Sequence, residues 1–297
     1  MFKHMLVPLD GSPLAERILP FACALAEKCG ARLTLLHVIE KRAPAMVHTE
    51  RHLTNPAEAE EYLRQAGSAL PCGPGIEHHV HVDPVGDVGR SIVAHAQEIG
   101  ADLIAITTHG AGGMKRALFG SIAQQVLSRC RQPVLLIPSR YEPGAQPVRL
   151  ERFLVPVDLN PGHGPAIELA LQTAQVCGAQ VILMGITATA GTLTGMSGAA
   201  AQVQPLTSAA LLDAERERFH ARLIEIQLTA ARMNVPSHIV IDQGPPGARI
   251  LLRMEQTSYD LVIFASHRRR GLDAVLTGSV GQQLCNGSKS PLLIVPV

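Results

Sequence analysis

Tryptophan is absent from this 297-residue chain, and all aromatic residues together make up 3% of it. A platform for stacking nucleic-acid bases is not expected, because such platforms are built from aromatic faces. An excess of charge is lacking too: 26 Lys and Arg stand against 25 Asp and Glu. Bulk electrostatics thus give no reason to hold a nucleic-acid backbone or an anionic membrane surface. The six cysteines (Cys23, Cys29, Cys72, Cys130, Cys177 and Cys285) include no Cys-x-x-Cys pair and no ligand-like cluster. They read as reduced thiols packed as small apolar groups. The stretch from Leu169 to Leu212 carries no charge, yet Gly, Thr, Ser, Gln and Pro interrupt it and its most apolar piece, "VILMGI", is strand-sized. That excludes a membrane-spanning helix there. Pro8 and Asp10 break the first apolar run, unlike a signal peptide. A soluble, cytoplasmic protein is expected.

What is plentiful is hydrophobic residues, 46% of the chain against 17% charged. A chain of this length and composition has room for two domains, each with a sizeable core. The sequence is in fact written twice. At an offset of 148, "LVPLDGSP" (6–13) meets "LVPVDLNP" (154–161), and "CGARLTLLHVI" (29–39) meets "CGAQVILMGIT" (177–187). At an offset of 158, "GDVGRSI" (86–92) meets "GPPGARI" (244–250), "ADLIAITTH" meets "YDLVIFASH", and "QPVLLIPS" meets "SPLLIVPV". The ten extra residues of the second copy fall in the Gly/Thr/Ala-rich segment 188–205, expected to be a surface loop. "SRYEPGAQPVR" (139–149) has linker composition, so domains are expected at 1–140 and 150–297.

Within the first copy, short β-branched apolar runs at 5–9, 32–39, 78–83, 102–107 and 133–138 alternate with helix-sized amphipathic runs at 13–29, 56–70, 88–100 and 121–131. This alternation predicts an α/β fold: a parallel sheet with helices on both faces. Ligands of such sheets sit beyond the carboxyl ends of the strands. At the first of those ends, Ser12-Pro13 and Asn160-Pro161 are helix starts. Asp10 and Asp158 are then not needed as caps and are expected to stand free at the strand tips. Further on, Ser121 with Gln124, and Ser279 with Gln282, have capping-box spacing. The same helix start can draw an anion to its amides, with Gly120 letting it come close. Gly110, Gly112 and Gly113 add loop amides on a second side. No Gly-Lys-Ser/Thr is present, so this is not a Walker A loop.

The segments "LVPLDGS", "LLHVIE", "GDVGRSI", "ADLIAITTHGAGGMKRALFGS" and "PVLLIP", with their second-copy counterparts, resemble the universal stress protein family in its tandem form. The resemblance implies two five-stranded sheets of Rossmann-like, adenine nucleotide α-hydrolase-like order 3-2-1-4-5. It also implies ATP as cofactor, with Mg2+ as its companion. The family's pattern of Gly, two residues, Gly, nine residues and Gly-Ser/Thr falls on Thr107, Gly110 and Gly120-Ser121, with Thr107 replacing the first glycine. The strand-one Asp maps onto Asp10, behind Pro8 and Leu9, and the strand-two contact onto Val38. Ile106 and Ile122 flank the same pocket. In the second copy the counterparts are Asp158, Ile186, Ala265, Arg268, Gly278 and Ser279. There Arg268 replaces the middle glycine, so the second site is expected to be degenerate or altered. Arginines 268–270 fit a phosphate clamp, a solvated loop or an inter-domain contact equally.

Three functions are weighed. The first is a nucleotide-binding stress protein with little or no catalysis; the second is an adaptor tandem that binds no nucleotide. The third, an ATP-consuming enzyme, lacks the Ser-Gly-Gly-x-Asp-Ser loop such folds carry after strand one. Expected partners are an adenine nucleotide and the chain's own other half. Strands 133–138 and 292–297 are expected to pair across a pseudo-twofold axis, mimicking the dimer of single-domain relatives; a homodimer of the whole chain stays open. His79, His81 and Asp83 share one face of a strand, as a zinc pair would need or as a polar edge strand would have. His109 and His267 recur beside the glycine loops without assembling a catalytic triad.

Overall fold

The computed structural model describes residues 1–47, 50–71, 75–108, 120–142, 147–189, 205–266 and 279–297. The first half runs β1 (His4–Pro8), α1 (Pro13–Glu16), α2 (Leu19–Cys29), β2 (Arg32–Glu40), a hairpin of β3 (Met46–Val47) and β4 (Glu50–Arg51), α3 (Pro56–Ser68), β5 (Ile76–Val85), α4 (Val88–Glu98), β6 (Leu103–Thr107), α5 (Ser121–Arg129) and β7 (Val134–Ile137). The second half runs β8 (Arg152–Val157), a 3-10 turn (Pro161–His163), α6 (Gly164–Cys177), β9 (Gln180–Thr187), α7 (Pro205–Arg232), β10 (Ser237–Gln243), α8 (Pro246–Gln256), β11 (Leu261–Ser266), α9 (Val280–Gly287) and β12 (Leu292–Pro296).

The expected helix over 13–29 is two helices. Pro20 lacks the N–H that Glu16 would accept, and its ring crowds that carbonyl. The chain restarts at Leu19 with Pro20 in the first turn, where a proline is tolerated. The β3–β4 hairpin was not expected from the sequence.

Each half has strand order 3-2-1-4-5: β5-β2-β1-β6-β7 and β10-β9-β8-β11-β12. All pairings within a half are parallel. The two halves join through β7 and β12, which run antiparallel with Leu292 opposite Leu136, Leu293 opposite Leu135 and Ile294 opposite Val134. One ten-stranded sheet results, and the expected pairing of the last strands is met. Alternation along each strand sends Met5 and Val7 into one apolar cluster and Leu6 into another, one per face, and both clusters run through both halves.

Repeated local devices hold the two halves in the same shape. Gly30 and Gly178 end α2 and α6 in the left-handed region, at φ 65° and 71°, where a side chain would be strained. Asp102 accepts the amides of Lys3 and His4 at 2.8 and 3.1 Å, and Asp260 accepts those of Glu151 and Arg152 at 2.9 Å each. Each carboxylate thus pins the start of its half's first strand to the fourth. A Cβ at Gly89 would run into Gln125, and one at Gly247 into Gln283, so the helix pairs α4–α5 and α8–α9 pack closely for the same reason.

Candidate functional site

The carboxyl ends of β1, β2 and β6 gather most of the residues singled out in the first half. Ser12 caps α1 as expected, its Oγ accepting the Ala15 amide at 3.1 Å. Asp10 does not stand free. Its Oδ1 accepts the Ser12 amide at 2.9 Å and the Ser12 hydroxyl at 2.7 Å, closing an Asx turn over Gly11. Gly11 takes φ 89°, and a Cβ there would lie 2.8 Å from Leu53 Cδ1. The turn therefore aims the half-buried carboxylate rather than leaving it to solvent.

Pro8 is half-buried and Leu9 buried, and the Leu9 amide still donates to Leu36 O at 2.8 Å, extending the β1–β2 ladder to the lip of the crevice. Val38 and Ile106 belong to a single apolar cluster, and Ile122 packs against it from the first turn of α5. Thr107, where the resemblance puts a glycine, is buried and donates its hydroxyl to Ala15 O at 3.3 Å. Thr107 thereby ties β6 to α1.

The two expected capping boxes come out differently. Ser279 caps α9, accepting the Gln282 amide at 3.2 Å. In the first half Gly120 occupies the cap position and has no side chain to cap α5, and Ser121 is an exposed first helical residue. That corrects the reading of Ser121 as a cap. A glycine cap supplies no side-chain acceptor to the first amides of its helix, and those amides carry the positive end of the helix dipole.

In the second half Asn160 caps its turn, accepting the Gly162 amide at 2.9 Å. Asp158 is exposed but not free: its Oδ1 accepts the Asn160 amide at 3.1 Å and lies 2.7 Å from His163 Nδ1. Beside this pair, among the described residues, Val157, Ile167, Phe264 and Ala265 leave a cavity of only about 10 Å3, room for about one water. Ile186 is half-buried and packs against the apolar cluster that contains Phe264. Gly110, Gly112, Gly113, His109, Arg268 to Arg270, His267 and Gly278 lie outside the described residues, as does most of the 188–205 segment.

Histidines contribute more than the sequence reading foresaw. His79 and His81 lie on the edge strand β5, as the polar-edge reading expected, and both meet His95 of α4. The His81 Nδ1 to His95 Nε2 distance is 2.9 Å, and His95 Nδ1 faces Glu98 at 3.4 Å without hydrogen-bond geometry. Burial, then the neighbouring His79 and His81, lower the His95 pKa below the usual histidine value. Among the described residues no group of three His, Cys, Asp or Glu side chains is set to hold a metal. His37, buried in β2, was missed altogether; it reads in sequence as one more strand residue. Cys23 is disulfide-bonded, which corrects the expectation of six reduced thiols. Cys29, Cys130, Cys177 and Cys285 are not disulfide-bonded, and burial pushes the Cys29 thiol up to about 11 and Cys177 to about 12. Neither is a thiolate at neutral pH.

A doubled parallel α/β sheet with its crevices at the strand ends defines the class of protein. The model of the Universal stress protein family matches residues 1–138 and 149–296. The chain belongs to that family. It is 22% identical over 321 aligned residues to Universal stress protein Mb2019 of Mycobacterium bovis, covering 99% of this chain and 95% of that one. Universal stress protein YxiE of Bacillus subtilis is 28% identical over 149 residues, which cover 46% of this chain and 99% of that relative. The fold is shared with a universal stress protein from Archaeoglobus fulgidus, at a TM-score of 0.65 and 19% identity, over 99% of this chain and 98% of that one. No helix among the described residues is long and apolar enough to cross a membrane.

Proposed function

We infer that the first half binds an adenine nucleotide, ATP first among them, and that the chain acts as a cytoplasmic, nucleotide-responsive regulator or adaptor in the stress response. The observation that carries this is the α5 start: its cap residue is Gly120, which has no side chain to offer, whereas its second-half counterpart is capped by Ser279. An anionic phosphate is the acceptor such a terminus favours. The fit extends to the rest of the ligand. Val38, Ile106 and Ile122 offer apolar surface for a base, and Asp10, aimed by its turn, offers a carboxylate for ribose hydroxyls. Magnesium finds no matching set of side chains among the described residues, and no role is built on it. The second site stays closed on this reading, because His163 and Asn160 engage Asp158 and the cavity beside them is small. Two domains, 1–140 and 150–297, are part of the same proposal.

Calorimetry of the full chain with ATP tests it. Asp10→Asn keeps an oxygen to accept the Ser12 turn while removing the charge, and is expected to weaken ATP binding roughly ten- to hundredfold. Asp158→Asn is expected to leave it unchanged. Flat titrations at millimolar ATP, or equal affinity in the wild type and Asp10→Asn, would overturn the reading.

A further inference from the structure

His37 is about 1% exposed, and each of its ring nitrogens meets a main-chain carbonyl. Nδ1 lies 2.8 Å from Leu9 O on the β1 exit, and Nε2 lies 3.0 Å from Leu53 O, in the segment between β4 and α3. A carbonyl oxygen only accepts, and a neutral imidazole has one N–H. Both contacts are hydrogen bonds only when the ring carries two. With one proton gone, a ring lone pair faces a buried carbonyl at about the same distance, and a buried acceptor left without its donor is costly.

The segment held this way, residues 50–55, lies across the β1 exit. Leu53 packs on Gly11 next to Asp10, and the His52 amide donates to Ala45 O at 3.1 Å. The His52 side chain is also buried. Its Nε2 lies 3.9 Å from Glu40 at the end of β2, and its Nδ1 has no partner. That contact too is an ion pair only with His52 protonated. We propose that His37 is a proton-operated latch: with both N–H groups it ties the 50–55 strap to the β1 exit, and on losing one it releases the strap.

The ionisable groups around the latch do not reverse this sense. Glu40 on β2 favours added protons. Asp10 and Glu16, on the β1 exit and α1, are carboxylates, and Arg51 of the strap is paired with Glu58 of α3. Tyr62 of α3 is pushed well above the ordinary tyrosine range, first by burial and then by Glu16 and Asp10, so it stays neutral. Gaining the second proton completes both carbonyl contacts and losing it breaks one, so acid tightens the strap and base loosens it. The second half has no such latch. Gly185 stands at the position of His37, and a Cβ there would lie 2.9 Å from Leu223 Cδ1, with Phe219 beside it.

Backbone amide exchange of the full chain at pH 6 and pH 8, corrected for intrinsic rates, tests the latch. Protection of residues 50–54 is expected to fall roughly tenfold from pH 6 to pH 8. Protection of β9 is expected to hold. His37→Gln, whose N–H donors sit on one nitrogen and cannot replace donors at both Nδ1 and Nε2, is expected to show the loose level at both pH values. Should that variant fold poorly, ring 15N shifts of the wild type settle the matter. Loss of the second His37 proton must coincide with loss of strap protection, and a proton lost without that change overturns the proposal. Equal wild-type protection at both pH values, or an unchanged pH response in His37→Gln, overturns it as well. A second measurement rests on the nucleotide reading above: bound ATP is expected to dissociate more slowly at pH 6 than at pH 8. If ATP never binds while exchange follows pH as described, the nucleotide reading fails and the latch stands.

Discussion

The two halves of the sheet share a strand order and differ at its rim. Both keep the devices that shape the scaffold: a left-handed glycine after the first long helix, a carboxylate pinning the first strand, and a glycine seating one helix on the next. At the strand tips they part. The first half has Gly120 at the α5 cap, His37 under a strap, and Asp10 aimed by Ser12. The second has Ser279 at the cap, Gly185 under α7, and Asp158 held against His163. Packing constraints act on the interior of both halves alike, because their shared sheet is buried on two faces. The rim is under no such constraint, so differences of function collect there.

The largest effect is expected where the halves meet. Leu135 and Leu293 face each other across the β7–β12 pairing and are fully buried. Leu135→Ala and Leu293→Ala are each expected to cost about 2–5 kcal/mol in urea unfolding. The double variant should cost less or more than their sum, because the two side chains share one contact. Strict additivity would mean that the seam does not couple the halves.

A smaller effect sharpens the contrast in capping. Ser279→Ala should cost about 1 kcal/mol, since it removes the acceptor for the Gln282 amide. Ser121→Ala, at an exposed first-turn position, should be within about 0.5 kcal/mol of wild type. Equal losses from the two would erase the difference between the helix starts.

The smallest expected effect concerns acid. His95 has a lowered pKa in the folded state, so below the usual histidine range the unfolded chain binds more protons than the folded one. Stability is then complete above that range and declines as pH falls through it. At the offset of 158 the counterpart is Arg253, bonded to the Tyr259 hydroxyl at 3.0 Å, which has no such dependence. Thermal unfolding between pH 7 and pH 5 should show a shallower loss in His95→Asn than in the wild type. Amide exchange in α4 should rise with acid while that in α8 does not. An identical slope in the variant would remove His95 from the account.

Much of this was legible in the residues. The duplication, the parallel sheet and the Ser12, Asn160 and Ser279 caps depend on periodicity and on contacts within a few residues, which sequence spacing records. The free Asp10, the Ser121 cap and the unbroken helix over 13–29 were misread. Asp10 bonds its own turn, α5 begins one residue earlier relative to its serine than α9 does, and Pro20 interrupts the amide ladder. The disulfide at Cys23 left no spacing signature at all.

The sequence by itself determined that two like α/β units follow one another, because hydrophobic period and turn chemistry are local properties of the chain. It also marked where their ligand-facing ends would lie. Only the tertiary structure decided how the ends differ. His37 meets carbonyls 28 and 16 residues away, and Asp158 is claimed by a histidine that a 3-10 turn swings onto it. Such contacts depend on where folded segments come to rest against one another, a matter of packing geometry that no spacing along the chain encodes.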